Sequence, residues 1–152
     1  MVRRLFAALC AVFAPMTVSA ENIVSKADAD HIFSLNRPAW EAYAERMIHP
    51  DGWKVQRSRH DTGTAVTAFD EKTNTGLSIQ PLYHDDVNPP DELIVGSFYP
   101  KGTLQPFTPE FKKKLELGAQ EDLGSDYSVS ASHADVSSWE GIELTVVRAN
   151  PR

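Results

Sequence analysis

The chain has 152 residues, 41% of them hydrophobic, and 15 basic against 21 acidic residues give it a formal net charge of −6. Its length suits one domain with a hydrophobic core. Nucleic acid and anionic membrane are excluded as partners, because both need clustered cations and the one basic run, 112–114, is flanked by glutamates.

The first 20 residues have the pattern of a secretory signal peptide. Two arginines precede an apolar run over 5–18, and Val18-Ser19-Ala20 supplies the small residues that suit cleavage between Ala20 and Glu21. The run is too short and too interrupted to span a bilayer as a helix. We therefore expect export to the periplasm or the medium, with residues 21–152 as a single domain and no transmembrane segment. General export is favoured over the twin-arginine route, which Arg3-Arg4 only faintly suggests.

Cleavage would leave a domain without cysteine, since Cys10 is the only one in the chain. Removing Arg3 and Arg4 also leaves 13 basic residues against 21 acidic ones, a formal charge of −8. Because an exported domain without disulfides cannot be cross-linked, its stability must come from a packed core.

Two helices are predicted before the first strand. The segment from Ser25 to Leu35 suits a short helix. Asn36 then offers a cap and Pro38 suits a first helical turn, which predicts a helix that stops at His49-Pro50. Apolar side chains recur along it at helical spacing, so it should lie on a core. They are Trp40, Tyr43, Ala44, Met47 and Ile48.

Four runs of strand-forming residues follow, separated by turn-rich segments, and the first three are predicted to form successive antiparallel hairpins. The fourth run is nearly continuous in its apolar character and should be covered on both faces. The runs are Trp53 to Arg59, Thr64 to Phe69, Leu77 to Tyr83, and Leu93 to Tyr99.

A further helix is predicted between Thr108 as the cap and Gly124 as the terminator. Its apolar stripe should face the core, whereas the lysines at 112–114 should face solvent. The stripe consists of Phe111, Leu115, Ala119 and Leu123.

The last segment reads as two strands joined by a turn over Val136 to Gly141. Serines at 128, 130 and 132 alternate with apolar residues, which is the period expected of a strand with one solvent-exposed face. The order helix, four strands, helix, two strands indicates an α+β domain. We expect an antiparallel sheet of about six strands with two or three helices packed on it.

Two short motifs carry a family resemblance. The "HPDGWKV" turn at His49 to Val55, followed by hairpins, a late helix and "WEGIEL" at Trp139 to Leu144, resembles the PsbP-like and DcrB-like small exported α+β proteins. The resemblance covers about Pro50 to Arg148. It implies a non-enzymatic accessory protein and assigns no functional residue.

No catalytic, metal or cofactor site is assigned. Asp61-Thr62-Gly63-Thr64 spells the catalytic turn of an aspartic protease, but that chemistry needs two aspartates sharing a proton, and only one copy occurs. A hairpin loop is therefore favoured. His133 should share the strand face of Tyr127 and Val129, as a buried or half-buried histidine with a hydrogen bond to the backbone.

The segment "PLYHDDVNPPDE", Pro81 to Glu92, is the one candidate binding site. In a calcium-binding EF-hand loop the ligands alternate along the chain around a central glycine. This segment has no such alternation of acidic residues and no glycine. A solvated connection is favoured. A ligand- or partner-binding loop is the second alternative, because stiff prolines lower the entropy lost on binding, and a metal or catalytic site is the third. The candidate residues are His84, Asp85, Asp86, Asp91 and Glu92.

These observations favour an exported, non-enzymatic accessory or binding protein of a bacterial envelope, with another envelope protein as the expected partner. One alternative is a small secreted hydrolase or lyase that uses His84 or His133 with nearby carboxylates. A second is an inhibitor or immunity-type protein that its acidic charge steers towards a basic target.

Overall fold

A computed structural model describes residues 24–47 and 53–150. The predicted signal peptide and the predicted helix stop at His49-Pro50 lie outside these residues. The described helices are α1 (Lys26–Ile32), α2 (Arg37–Glu45) and α3 (Pro109–Leu123). The described strands are β1 (Trp53–Ser58), β2 (Ala65–Asp70), β3 (Thr75–Leu82), β4 (Glu92–Pro100), β5 (Tyr127–Val136) and β6 (Trp139–Arg148).

Each helix begins at a side chain that satisfies a free backbone N–H in its first turn. The capping residues are Ser25, Asn36 and Thr108. At its other end α3 stops at Gly124, whose φ of 76° suits glycine. The helix α2 ends at Glu45, earlier than predicted. There the Arg46 guanidinium bonds back to the Ala42 carbonyl at 3.1 Å and helps close the last turn.

The strands form one antiparallel sheet in the order β1-β2-β3-β4-β6-β5. The first three form successive hairpins, as predicted, β4 continues the series by pairing with β3, and β6 inserts between β4 and β5. The turn before β6 is only Ser137 and Ser138, so the predicted turn over Val136 to Gly141 is wrong. Ser137 has a φ of 55°, which lets the two strands pair over ten residues each. The predicted α+β class and element order are confirmed.

One face of the sheet carries the core. Alternate residues of each central strand are buried there against the three helices, as the period of a strand requires. Burying each large apolar side chain contributes about 1.5–3 kcal/mol. The predicted α3 stripe is buried, and so are the members of the earlier stripe that the structure describes, Trp40, Tyr43, Ala44 and Met47, whereas Ile48 lies outside the described residues. Sheet residues in this core include Val66, Leu77, Ile79, Leu93, Val95, Ile142, Leu144 and Val146.

The opposite, outer face of the sheet is not covered by any described helix. On it the Phe98 ring lies between Gly96 and Gly141, so close that a Cβ built on Gly141 would be 2.6 Å from the ring. Phe69 and Trp139 pack together beside it, with ring centroids 4.7 Å apart. The prediction that β4 is covered on both faces is therefore wrong. Its outer side is shielded only in part, by these aromatic side chains.

Helix α3 protects the sheet edge formed by β5. The Glu116 carboxylate accepts the Ala131 backbone N–H at 3.0 Å, and the Gln120 amide donates to the Tyr127 carbonyl at 2.6 Å. Both bonds satisfy backbone groups that point away from β6 and would otherwise be free to pair with another strand. None of the helices in residues 24–47 and 53–150 is long and apolar enough to cross a membrane.

Gly141→Ala should lower the free energy of unfolding by about 1–3 kcal/mol, because its Cβ would overlap the Phe98 ring and the Ser97 carbonyl, which is backbone and cannot move aside. Gly76→Ala is the control on the same face, since its nearest contact would be 3.4 Å. Urea unfolding should show that variant unchanged or up to about 1 kcal/mol more stable. Equal losses in the two variants would contradict this packing.

Glu116 should make stability depend on pH. The Ala131 N–H, and then Lys112, hold the pKa of this carboxyl below its usual range. The ionised group therefore stabilises the fold at neutral pH, and that contribution disappears as the pH falls through the lowered pKa. Chemical unfolding should show a gap between wild type and Glu116→Gln that shrinks from pH 7 towards about pH 3. Glu121→Gln, on the exposed side of α3, should show no such trend.

Candidate functional site

The predicted binding loop forms a closed, internally bonded hairpin connection. The Asp91 N–H donates to the Leu82 carbonyl at 2.9 Å and closes its base. The Asp85 carboxylate accepts the backbone N–H groups of Val87 and Asn88 at 2.8 and 2.7 Å, an Asx turn, and the Asn88 side chain at 2.8 Å. These bonds hold the pKa of Asp85 below its usual range, with the Asn88 backbone bond the largest cause.

The other candidates in this loop point to separate partners. His84 Nε2 lies 3.1 Å from Asp91 Oδ2, and the histidine side chain is 90% exposed. Asp86 reaches the Arg37 guanidinium at 3.5 Å, whereas Glu92 is the first residue of β4. Across the described chain, no group of three or more histidine, cysteine, aspartate and glutamate side chains is placed to hold a metal ion. The five side chains therefore do not converge on one site.

His133 shares the helix face of the sheet with Tyr127 and Val129, as predicted, but its partner differs from the prediction. Its Nε2 lies 3.6 Å from Glu140 Oε2, so it faces a carboxylate and not the backbone. The ring also packs near Phe107, with centroids 5.7 Å apart, and a third of the side chain stays exposed.

The Asp61 to Thr64 turn is the structural hairpin loop that the sequence predicts. The Thr62 carbonyl accepts the Tyr83 N–H at 2.7 Å, and the buried Trp40 indole donates to the Thr64 carbonyl at 2.9 Å. A Cβ on Gly63 would be 2.6 Å from the Pro81 carbonyl, so only glycine fits there. This turn anchors α2 and β3 to each other.

A polar cavity of about 410 Å³ lies elsewhere, where α1 meets the start of β5 and the end of β6. Its size is within the range of small-molecule sites. Among the residues that the structure describes, two carboxylates, one guanidinium, one phenol and one amide line it. The lining residues are Asp30, Asp126, Tyr127, Arg148 and Asn150.

Two side chains donate hydrogen bonds or an ion pair to the carboxylates on the acidic side of this cavity, Asp30 and Asp126. Lys26 Nζ lies 2.8 Å from Asp30 Oδ2 and 3.5 Å from Asp126 Oδ2, so one ammonium bridges both carboxylates. The Tyr127 hydroxyl donates to Asp30 Oδ1 at 2.5 Å. Asp126 keeps 72% of its side chain exposed and Asp30 keeps 49%, so both remain open to solvent on the cavity side.

These contacts fix the protonation states of the cavity. The Lys26 ammonium, and then the Tyr127 hydroxyl, hold the pKa of Asp30 below its usual range, so this carboxyl is ionised at neutral pH. Burial, and then the bond to Asp30, raise the pKa of Tyr127, so its phenol stays protonated. Neither group changes its charge near neutral pH.

The basic side of the cavity is the Arg148 guanidinium. It donates to the Phe33 carbonyl just after α1 and lies over the Phe33 ring, 5.2 Å from its centroid. Among the residues that the structure describes, no carboxylate lies within ion-pair distance of it. A guanidinium has five N–H donors, and within the described residues the Phe33 carbonyl is the one hydrogen-bond acceptor found for Arg148.

Neither the sequence patterns nor the family resemblance points to this cavity. Its residues come from α1, the turn before β5 and the end of β6, which are up to 120 positions apart between Asp30 and Asn150. The only local signal is the i, i+4 pair of Lys26 and Asp30. The pairing of β5 with β6 places Tyr127 opposite Arg148, and a sequence reading cannot supply that register.

Comparison with known proteins gives no relative from which to infer a function: no family model, no curated protein and no solved structure matches the chain.

The two donors to Asp30 should have measurably different effects. In Lys26→Met the pKa of Asp30 should rise towards its usual value, because its largest stabilising partner is lost. In Tyr127→Phe it should rise less, because only the second donor is removed. Carboxyl-carbon NMR titration of the two variants would measure both. An Asp30 pKa that is unchanged in Lys26→Met would contradict the pairing described here.

Proposed function

We propose that this chain is an exported, non-enzymatic binding protein of a bacterial envelope, and that it binds a small polar ligand in the cavity between α1, β5 and β6. The observation that carries the proposal is the Arg148 guanidinium in the cavity wall. It is positioned by Phe33, and no described carboxylate lies within ion-pair distance of it. A cation held in place beside open space is suited to bind an anionic or hydrogen-bond-accepting group.

The protonation states of the cavity support binding more than catalysis. A general acid or base works best with a pKa near the operating pH. The pKa of Asp30 is lowered and that of Tyr127 is raised, so both move away from neutrality. Neither His84 nor His133 lines the cavity. The hydrolase or lyase and the inhibitor or immunity-type protein remain alternatives without a specific observation in their favour.

The internal bonding of the Pro81 to Glu92 loop also supports placing the ligand elsewhere. The Asp85 oxygens are engaged within the loop, and His84 pairs with Asp91. The loop is best described as a solvated connection, with partner binding as a secondary role that its exposed Val87 would serve.

Thermal unfolding of the exported form tests the proposal. Its mass should be that of a chain beginning at Glu21. A panel of amino acids, polyamines, carboxylic acids and sugars should contain a ligand that raises the midpoint by roughly ten degrees at about 100 times its Kd. Arg148→Lys should abolish that shift, because lysine cannot reproduce the planar set of donors.

Two controls locate the site. Arg57→Lys should keep the shift, since Arg57 also donates to backbone carbonyls, Ala44 and Glu45, but at the far edge of the sheet. A triple variant with Asp85→Asn, Asp86→Asn and Asp91→Asn should keep it as well. A shift lost in the triple variant and retained in Arg148→Lys would move the site to the loop and overturn this assignment.

A further inference from the structure

We infer that the ligand class of the cavity is a small zwitterion, an α-amino acid or a short peptide with free termini, whose carboxylate binds Arg148 and whose ammonium binds Asp126. The inference rests on the proposed binding function and names the chemistry that the same cavity selects.

The charges around the cavity are the first feature that restricts the class of ligand. Asp30 and Asp126 carry two negative charges, which Arg148 and the bridging Lys26 balance. Asp126 is the more open carboxylate, because it is 72% exposed and its contact with Lys26 is the longer one, at 3.5 Å. A purely anionic ligand would gain from Arg148 but would also face Asp126, so the wall favours a ligand that carries a positive group as well.

The Arg148 guanidinium is the second feature that restricts the class of ligand. A purely cationic ligand would fill the acidic side and leave Arg148 facing a like charge, without an acceptor for its remaining N–H groups. A carboxylate accepts two parallel N–H bonds from a guanidinium, the best-matched partner for this side chain. One molecule that carries both groups satisfies both sides of the cavity.

Lys26 shows that an ammonium fits the acidic side. Its Nζ already contacts both Asp30 and Asp126, at 2.8 and 3.5 Å. The contact with Asp126 is the longer one and both side chains there are well exposed, so a ligand ammonium could bind Asp126 while Lys26 keeps Asp30. Asn150 adds an amide that can donate to or accept from the ligand backbone.

Isothermal titration with defined probes tests the inference. The probes are the twenty free α-amino acids and alanyl-alanine, each tested alone. For the tightest binder, the N-acetylated form and the carboxamide each lack one of the two charges. Each should bind about 10- to 100-fold more weakly than the parent, as expected when one charged hydrogen-bonded contact is lost.

Two cavity variants should separate the two ends of the ligand. Asp126→Asn, at an exposed position that does not threaten folding, should weaken the parent about tenfold and leave the N-acetylated form unchanged. Arg148→Lys should weaken the parent and leave the carboxamide unchanged. Arg57→Lys should bind all three as the wild type does.

The outcomes distinguish the two proposals. If either blocked form binds as tightly as its parent, or if only a non-zwitterionic compound of the earlier panel binds in an Arg148-dependent way, the zwitterion inference is overturned and the binding function stands. If no compound of either set binds, both proposals are overturned. An effect of Arg57→Lys equal to that of Arg148→Lys would mean a general loss of structure and would also overturn the assignment.

Discussion

The antiparallel pairing of β4 with β6 is the interaction on which the rest of the structure depends. It joins nine residue pairs, from Glu92 opposite Val147 to Pro100 opposite Trp139, between segments far apart in the chain. The pairing places β6 inside the sheet and leaves β5 at its edge. Because the domain contains no described disulfide or cysteine, this non-local ladder and the core that it aligns must supply the stability.

That pairing also decides where a site can form. With β6 inside the sheet, its last residue, Arg148, is opposite Tyr127 at the start of β5, and α1 packs across the same end. Charges from three distant segments meet there with an open cavity between them. The other end of the sheet, by contrast, holds the Phe98 ring packed between two glycines, where the side chains leave little room.

The sequence predicts the elements well because each has a local signal. The caps at Asn36 and Thr108 and the alternation of serines along β5 depend on neighbouring residues only. The predictions fail where residues far apart in the chain determine the local packing. The Phe98 ring takes space that only Gly96 and Gly141 allow. Strand order and register, which sequence periodicity does not encode, create the Arg148 cavity.

The most direct test of the binding account is NMR of the arginine side-chain Nε–Hε groups during titration with the tightest-binding amino acid or dipeptide. The account predicts that the Arg148 signal shifts and becomes protected from exchange with water, whereas the Arg57 signal does not move. Saturable binding that leaves the Arg148 signal unchanged would contradict it, because the guanidinium in the cavity wall would then not contact the ligand.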